Sequence, residues 1–284
     1  LSEVCANTRL AMSENRNILG SHLEGPFLSV KMCGAQSTDN LFVPSETNYT
    51  DFLDEYGDTV KMMGVAPELD GAFELGEELS KRGIVASVAH SSGNYDTAYE
   101  SLNHGFSDVT HIYNACTSCY KEGVFRRAGT VEAALSDDRF SVQAISDLVH
   151  LPVGVLRLIY KAKGSDKMYL ITDGLEFSAF DMNEGEEFTQ KNGVKVVYED
   201  EVMKLADRSC LAGSTANGAR LVRNMYKTVG VPLTEAVKMM TLTPARVIGV
   251  DSYKGKIAEG YDADIILFDE SVEVSSVMIN GKLA

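Results

Sequence analysis

The chain has 284 residues, with 41 acidic against 26 basic side chains and a net charge of −15. Hydrophobic residues make up 44% and charged residues 24%, the profile of a folded globular chain, so collagen-like, low-complexity and disordered classes are excluded. No uncharged apolar stretch approaches the ~18–20 residues that span a bilayer, and no Lys/Arg cluster offers the basic face that nucleic acid or an anionic membrane requires. Five cysteines, an odd number in a chain this long, point to a reducing, cytoplasmic setting rather than a disulfide scaffold. Residues 1–20 have no basic start, apolar stretch or small-residue cleavage site, and no initiator Met. The chain reads as one that begins partway through a protein.

Residues 1–16 carry Val4, Leu10 and Met12 at helical spacing and are expected to form a helix ahead of the first strand. Apolar, β-rich runs then alternate with amphipathic stretches. The strands expected are Asn17–Leu23, Val60–Ala66, Ile84–Ala89, Asp108–Ile112, Val142–Ile145 and Met168–Thr172. Several are apolar nearly throughout, as parallel strands covered on both faces should be. Between them fall the helices Gly71–Lys81, Tyr95–Asn103, Gly129–Leu135 and Val153–Lys163, with Gly83 and Gly105 as stops. Repeating β-α units define an α/β fold with a parallel sheet, doubly wound or closed into a barrel. Beyond Asp173, residues 176–208 are acidic and hairpin-like, helices are expected at Thr215–Val229, Leu233–Thr241 and Pro244–Ile248, and the tail reads as a small all-β appendage.

The polar residues that stand out fall at the downstream ends of these strands. Glu24 closes NILGSHLE, His90 closes GIVASVAH, His111 closes SDVTH, His150 follows VQAISDLV and Asp173 closes MYLITD. In a β/α barrel those ends converge on the face that carries the chemistry. Glu24, His90 and His111 form a two-imidazole, one-carboxylate set suited to a catalytic divalent ion, at spacings that only a fold can gather. Asp173 is the natural general base, and His150 and Asn114 are neutral donors for a polar substrate. His22, two residues before Glu24, is expected to support it from the same strand face. His104, at a helix end, is expected at the surface. CTSC (Cys116–Cys119) has no second pair to complete a zinc site and lacks the context of a redox motif.

HLEGPFLSVKMCGAQ (His22–Gln36), SVAHS, THIYNA, ISDLVH, ITDG, LAGS and TLTPAR occur in the order seen in N-acetylglucosamine-6-phosphate deacetylases, and GKIAEGYDADIILFD resembles the end of amidohydrolase chains generally. The resemblance runs from about residue 17 to the C-terminus. It implies a (β/α)8-type barrel of the metal-dependent hydrolase kind over residues 1–250, lacking its first strands, and a remnant of a β-sandwich over 251–284. It implies deacetylation of N-acetyl-D-glucosamine 6-phosphate to glucosamine 6-phosphate and acetate in a homodimer. Glu24, His90 and His111 then correspond to ligands of one divalent ion (Zn or Fe first, Mn or Co also suited), and Asp173 to the acid/base. Substrate contacts fall on Ala35, Gln36, Asn114, Ala115, Asp147, His150 and Leu211, Ala212 and Gly213.

The chain departs from the family in three places. Many members have His where this chain has Gln36. The segment after HIYNA is longer, with Arg126 the best match for an arginine that reaches phosphate and Arg127 its rival. The opening barrel strands are absent, so the strand ending at Glu24 is expected to present an unpaired edge. Two competing readings remain open on these residues: an amidohydrolase of cyclic amides, and a non-catalytic sugar-phosphate-binding fragment.

Overall fold

The structure, a computed structural model, describes residues 1–178 and 180–284. It divides into two compact units, Leu1–Val142 and Gln143–Ala284.

The first unit opens with α1 (Ser2–Glu14), followed by β1 (Ser21–Glu24), α2 (Tyr49–Tyr56), β2 (Val60–Val65), α3 (Ala72–Lys81), β3 (Val85–Val88), α4 (Tyr95–Ser101) and β4 (Phe106–Val109). A hairpin, β5 (Tyr120–Glu122) and β6 (Phe125–Arg127), precedes α5 (Thr130–Ser136) and the start of β7 (Ser141–Ala144). The strands β1, β2, β3, β4 and β7 lie side by side in that order, all parallel, with Leu23 opposite Met63, Gly64 opposite Ser87 and Val88 opposite Val109. Chain order equals sheet order here, the signature of successive crossovers of one hand. β1 pairs with β2 alone among the described residues, so it forms an edge, as expected.

Met63, Val65, Ala86, Val88 and Val109 are buried at 0–1% exposure, which explains their apolar runs. α3 turns Ala72, Leu75, Gly76 and Leu79 inward at helical spacing. Gly76 is required there: a Cβ would lie 2.4 Å from the Phe106 ring, so only glycine lets the helix lie against β4. The expectation for residues 1–16 is met in type but not in burial. α1 forms, yet Val4 and Leu10 are 53% and 59% exposed and only Cys5 is buried. A doubly bonded Arg9–Asp58 contact and the Glu55 carbonyl tether the helix from its polar side.

The second unit begins with the end of β7 and continues through α6 (Val153–Lys167), kinked at Gly164, to β8 (Met168–Leu170). The Ile171 N–H reaches the Ala144 carbonyl at 3.2 Å, so β8 runs alongside the end of β7. Strands β9 (Glu187–Thr189), β10 (Lys195–Glu199), β11 (Val202–Leu205) and β12 (Leu211–Ser214) then form an antiparallel sheet in the order β12-β11-β10-β9. Two of these, β10 and β11, are the hairpin expected from the acidic segment. α7 (Gly218–Arg223) runs into a π-helical turn over Asn224–Val229, followed by α8 (Leu233–Met240) and α9 (Leu242–Val247). The tail is a three-stranded antiparallel sheet, β13 (Ile265–Phe268), β14 (Val274–Ile279) and β15 (Lys282–Leu283). No described helix is long and apolar enough to cross a membrane. All five cysteines are free thiols.

Candidate active site

Three strand ends of the first unit deliver the ligand set. Glu24 is the last residue of β1, and His90 and His111 each lie two residues beyond β3 and β4. Both histidines have left-handed backbone, φ +45° and +29°, which turns each ring out of its strand direction. Such conformations are costly for a side chain with a Cβ and recur where function demands a direction. Among the described residues ahead of the antiparallel sheet, the other non-glycine residues in this region are Tyr113, Ala115, Leu148 and Asp173. All four lie within, or border, positions that the deacetylase resemblance marks.

Glu24 Oε1 lies 2.8 Å from His90 Nε2 and 2.7 Å from His111 Nε2, and the two nitrogens are 3.2 Å apart. The His side chains are 6% and 4% exposed, whereas Glu24 keeps 30%, an opening on the carboxylate side. His90 Nδ1 donates to the Met32 carbonyl at 2.7 Å, because a carbonyl can only accept. Its Nε2 in the neutral ring is then a lone pair aimed at a carboxylate oxygen. That arrangement repels unless a cation, a proton or a metal ion, stands between them. The donor chemistry therefore fits a divalent ion, and Glu24, His90 and His111 are the cluster of the described residues able to hold one. Burial would raise the Glu24 carboxyl, but bonds to His111 and His90 and their charge outweigh it and hold it well below the usual carboxylate range.

Around this centre the loops are closely specified. Gln36 Nε2 donates to Glu24 Oε2 at 2.6 Å. Asn114 turns its amide back to the His111 carbonyl at 3.1 Å, so it fixes the turn between Tyr113 and Ala115. Glu68 accepts from the Ser91 hydroxyl, the Ser92 N–H and the Ser92 hydroxyl at 2.7, 2.6 and 3.0 Å, and the Ser29 N–H reaches the His90 carbonyl at 3.0 Å. Sequence reasoning missed Glu68, yet it follows β2 in GVAPE and obeys the same strand-end rule that marked the others. Arg127 is bonded to Glu122 at 2.8 Å on the exposed hairpin, whereas Arg126, on the opposite face of β6, makes no ion pair among the described residues.

His22, expected to support Glu24 from the same strand face, is exposed in the structure. His104 lies at the surface as expected, stacked on Phe73 at 4.4 Å and bonded to Glu77. Burial pushes the Cys116 thiol up to about 11, so it is protonated at neutral pH.

In the second unit, Asp147 and His150 form a buried pair. Asp147 accepts from the Val149 N–H, the His150 N–H and His150 Nδ1 at 3.0, 2.9 and 2.7 Å, and Leu148 between them has φ +71°. Burial would raise Asp147, but the His150 ring bond and charge and the two backbone N–H groups pull it lower still. Asn224, on the π-helical turn, donates to the Ser146 carbonyl at 2.9 Å and anchors this segment. Asp173 has φ +48°, and its carbonyl accepts from Ser214 N–H at 2.9 Å. Gly213, at φ +110°, is required beside it, since a Cβ there would sit 2.9 Å from the Asp173 carbonyl. The end of β12, through Ser214, is thus bonded to the catalytic candidate's own backbone.

The strand ends carry a His-His-Glu group able to hold a metal ion, and the chain belongs to the amidohydrolase family, which matches residues 7–284. Within that family its place is among the N-acetylglucosamine-6-phosphate deacetylases. The deacetylase of Haemophilus influenzae is 32% identical over 265 residues, covering 93% of this chain and 67% of that protein. The crystal structure of the Pasteurella multocida deacetylase superposes with a TM-score of 0.90 at 28% identity, over 99% of this chain and 71% of that one. A mutant of the Mycobacterium smegmatis deacetylase, solved in complex with N-acetyl-D-glucosamine-6-phosphate, matches with a TM-score of 0.87 at 29% identity, over 99% and 71%.

Proposed function

We propose that this chain hydrolyses the N-acetyl group of N-acetyl-D-glucosamine 6-phosphate, giving D-glucosamine 6-phosphate and acetate. The observation that carries this reading is the convergence of Glu24, His90 and His111, with Gln36 on the free Glu24 oxygen, inside a fold shared with deacetylases. A divalent ion held by these three side chains would polarise the amide carbonyl and ease deprotonation of the attacking water. Zn or Fe(II) suits two imidazoles and a carboxylate best, with Mn and Co also compatible.

Asp173 takes the proton from water as it attacks and returns it to the departing amine nitrogen. Its carbonyl is held by the Ser214 N–H, with Gly213 leaving the room that contact needs, so the carboxylate starts from a fixed base. Asp147 fixes the His150 ring through Nδ1 and leaves Nε2 to orient the sugar. Ala35, Gln36, Asn114, Ala115, Leu211, Ala212 and Gly213 are proposed as substrate contacts. Arg126, exposed and unpaired on its hairpin, grips the phosphate across a homodimer interface. Residues 1–250 form the barrel portion, and the sheet β13-β14-β15 within 251–284 is part of a β-sandwich. The free thiols favour a cytoplasmic setting.

The deciding experiment is acetate release from the phosphorylated sugar, measured with and without chelator and repeated on the sugar lacking phosphate. Turnover that survives metal removal, or that ignores the phosphate, would refute the reading.

A further inference from the structure

The segment Met32–Gln36 touches two of the three metal-ligand candidates, and it does so through three different kinds of contact. The Met32 carbonyl takes the proton of His90 Nδ1 at 2.7 Å and so points the Nε2 lone pair at the centre. Gly34, at φ +58°, passes so close that a Cβ would lie 3.3 Å from His90 Cε1, and the backbone itself backs the ring. The Gln36 N–H closes a turn on the Cys33 carbonyl at 3.0 Å, which aims the Gln36 amide at Glu24. That amide holds Glu24 Oε2 at 2.6 Å, while Oε1 faces both imidazoles at 2.7 and 2.8 Å.

The two carboxylate oxygens are therefore assigned different tasks. We infer that Gln36 is a positioning residue of the metal centre, which restricts Glu24 to ligation through one oxygen and thereby favours a small ion such as Zn²⁺ over one that takes more oxygen donors, such as Mn²⁺. A carboxylate free to rotate can chelate through both oxygens and raise the oxygen count around the ion. With Oε2 turned to the Gln36 N–H, Oε1 alone faces the two imidazoles, so the set presented is two nitrogens and one oxygen, the low-coordinate arrangement Zn²⁺ accepts. The amide carries two N–H hydrogens, so the bond to Glu24 leaves one for a substrate carbonyl, and the two roles are compatible. Partners of this kind set metal affinity as the ligands do, because they fix the ligand's orientation before the ion arrives.

This inference rests on the reading of Glu24, His90 and His111 as a metal centre, and its primary readout is metal affinity, with KM for the phosphorylated sugar measured alongside. Zn²⁺ and Mn²⁺ affinities are measured by competition with a chromophoric chelator for the wild type, Gln36→Leu and Gln36→His, with melting curves of the metal-free proteins alongside. Gln36→Leu removes the donor, and Gln36→His restores an N–H. The expected result is a ~10–100-fold loss of Zn²⁺ affinity in Gln36→Leu, a smaller loss for Mn²⁺, and recovery of most of the difference in Gln36→His. Wild-type affinity for both ions in Gln36→Leu, with only KM altered, would overturn the inference and leave Gln36 a substrate contact. Equal losses in both variants with lowered melting temperatures would overturn it too, as a merely structural effect. A wild type that binds neither ion would refute the metal centre itself. Failure of acetate release with the expected pattern of affinities would refute the proposed reaction and leave this inference standing.

Discussion

Replacing Asp147 by Asn tests how the second unit presents His150. Asp147 is 0% exposed and His150 4%, so their bond is made out of contact with water. The Asn variant keeps an oxygen for the Val149 and His150 N–H groups, at 3.0 and 2.9 Å in the parent, and preserves the turn around Leu148. It presents an NH₂ to His150 Nδ1, where the parent has a carboxylate oxygen at 2.7 Å. The ring must then accept through Nδ1 and carry its proton on Nε2, the reverse of the parent tautomer. A hydrogen bond to a charged group contributes about 1.5–3 kcal/mol, equivalent to about 10–150-fold in binding or rate. We expect a loss of that size in kcat/KM for the phosphorylated sugar, carried mainly by KM, together with a lower melting temperature at pH 7. The folded Asp147 carboxyl lies below its ordinary value of 3.8, so its stabilisation is complete above the unfolded value and is lost as pH falls through the folded one. The gap in melting temperature between parent and variant should hold from neutral pH down to about 4 and close below it. A variant with the parent's KM and melting temperature, or a gap that widens in acid, would refute this account of the pair.

Elemental analysis of His111→Ala should find most of the bound metal lost, since a two-ligand shell holds an ion poorly against water; unchanged content would mean the ligands are misassigned. Asp173→Asn should retain metal while turnover falls by ~10²–10⁴-fold, and near-normal turnover would remove Asp173 from the acid/base role. Arg126→Ala should erase most of the preference for phosphorylated over unphosphorylated sugar, whereas Arg127→Ala, already paired with Glu122, should leave it in place.

The parallel strands were legible because burial on both faces leaves no room for polar residues, and Met63, Val65 and Val88 show that burial directly. The centre was legible for a related reason: a charged or imidazole side chain directly after an apolar run has nowhere to go but the strand end. Packing was less legible. The spacing of Val4, Leu10 and Met12 gives a helix, but spacing cannot say which face meets a neighbour, and α1 leaves Val4 and Leu10 exposed. The hairpin β5-β6 was missed although Gly123, at φ +61°, stands at the first position of a two-residue turn, the place where hairpins favour glycine. The π-helical turn at Asn224–Val229 leaves no trace in the apolar pattern, because one widened turn barely changes which residues point inward. Glu68 ends the β2 run as the others end theirs, but its bonds to Ser91 and Ser92, like the Gln36 bond to Glu24, are made only in the folded arrangement.

The left-handed backbone at His90, His111 and Asp173 has a consequence for how sequences at these positions drift. Each holds a conformation that costs of the order of 1–3 kcal/mol for a residue with a Cβ, and glycine or asparagine would relieve much of it. Folding alone therefore pulls these positions toward Gly and Asn, and the roles proposed for them would oppose that pull. A randomised library screened for heat resistance, with no substrate supplied, should accumulate Gly and Asn at His90, His111 and Asp173. The enrichment pattern would be a negative image of the active site, drawn by thermostability and readable before any turnover is measured.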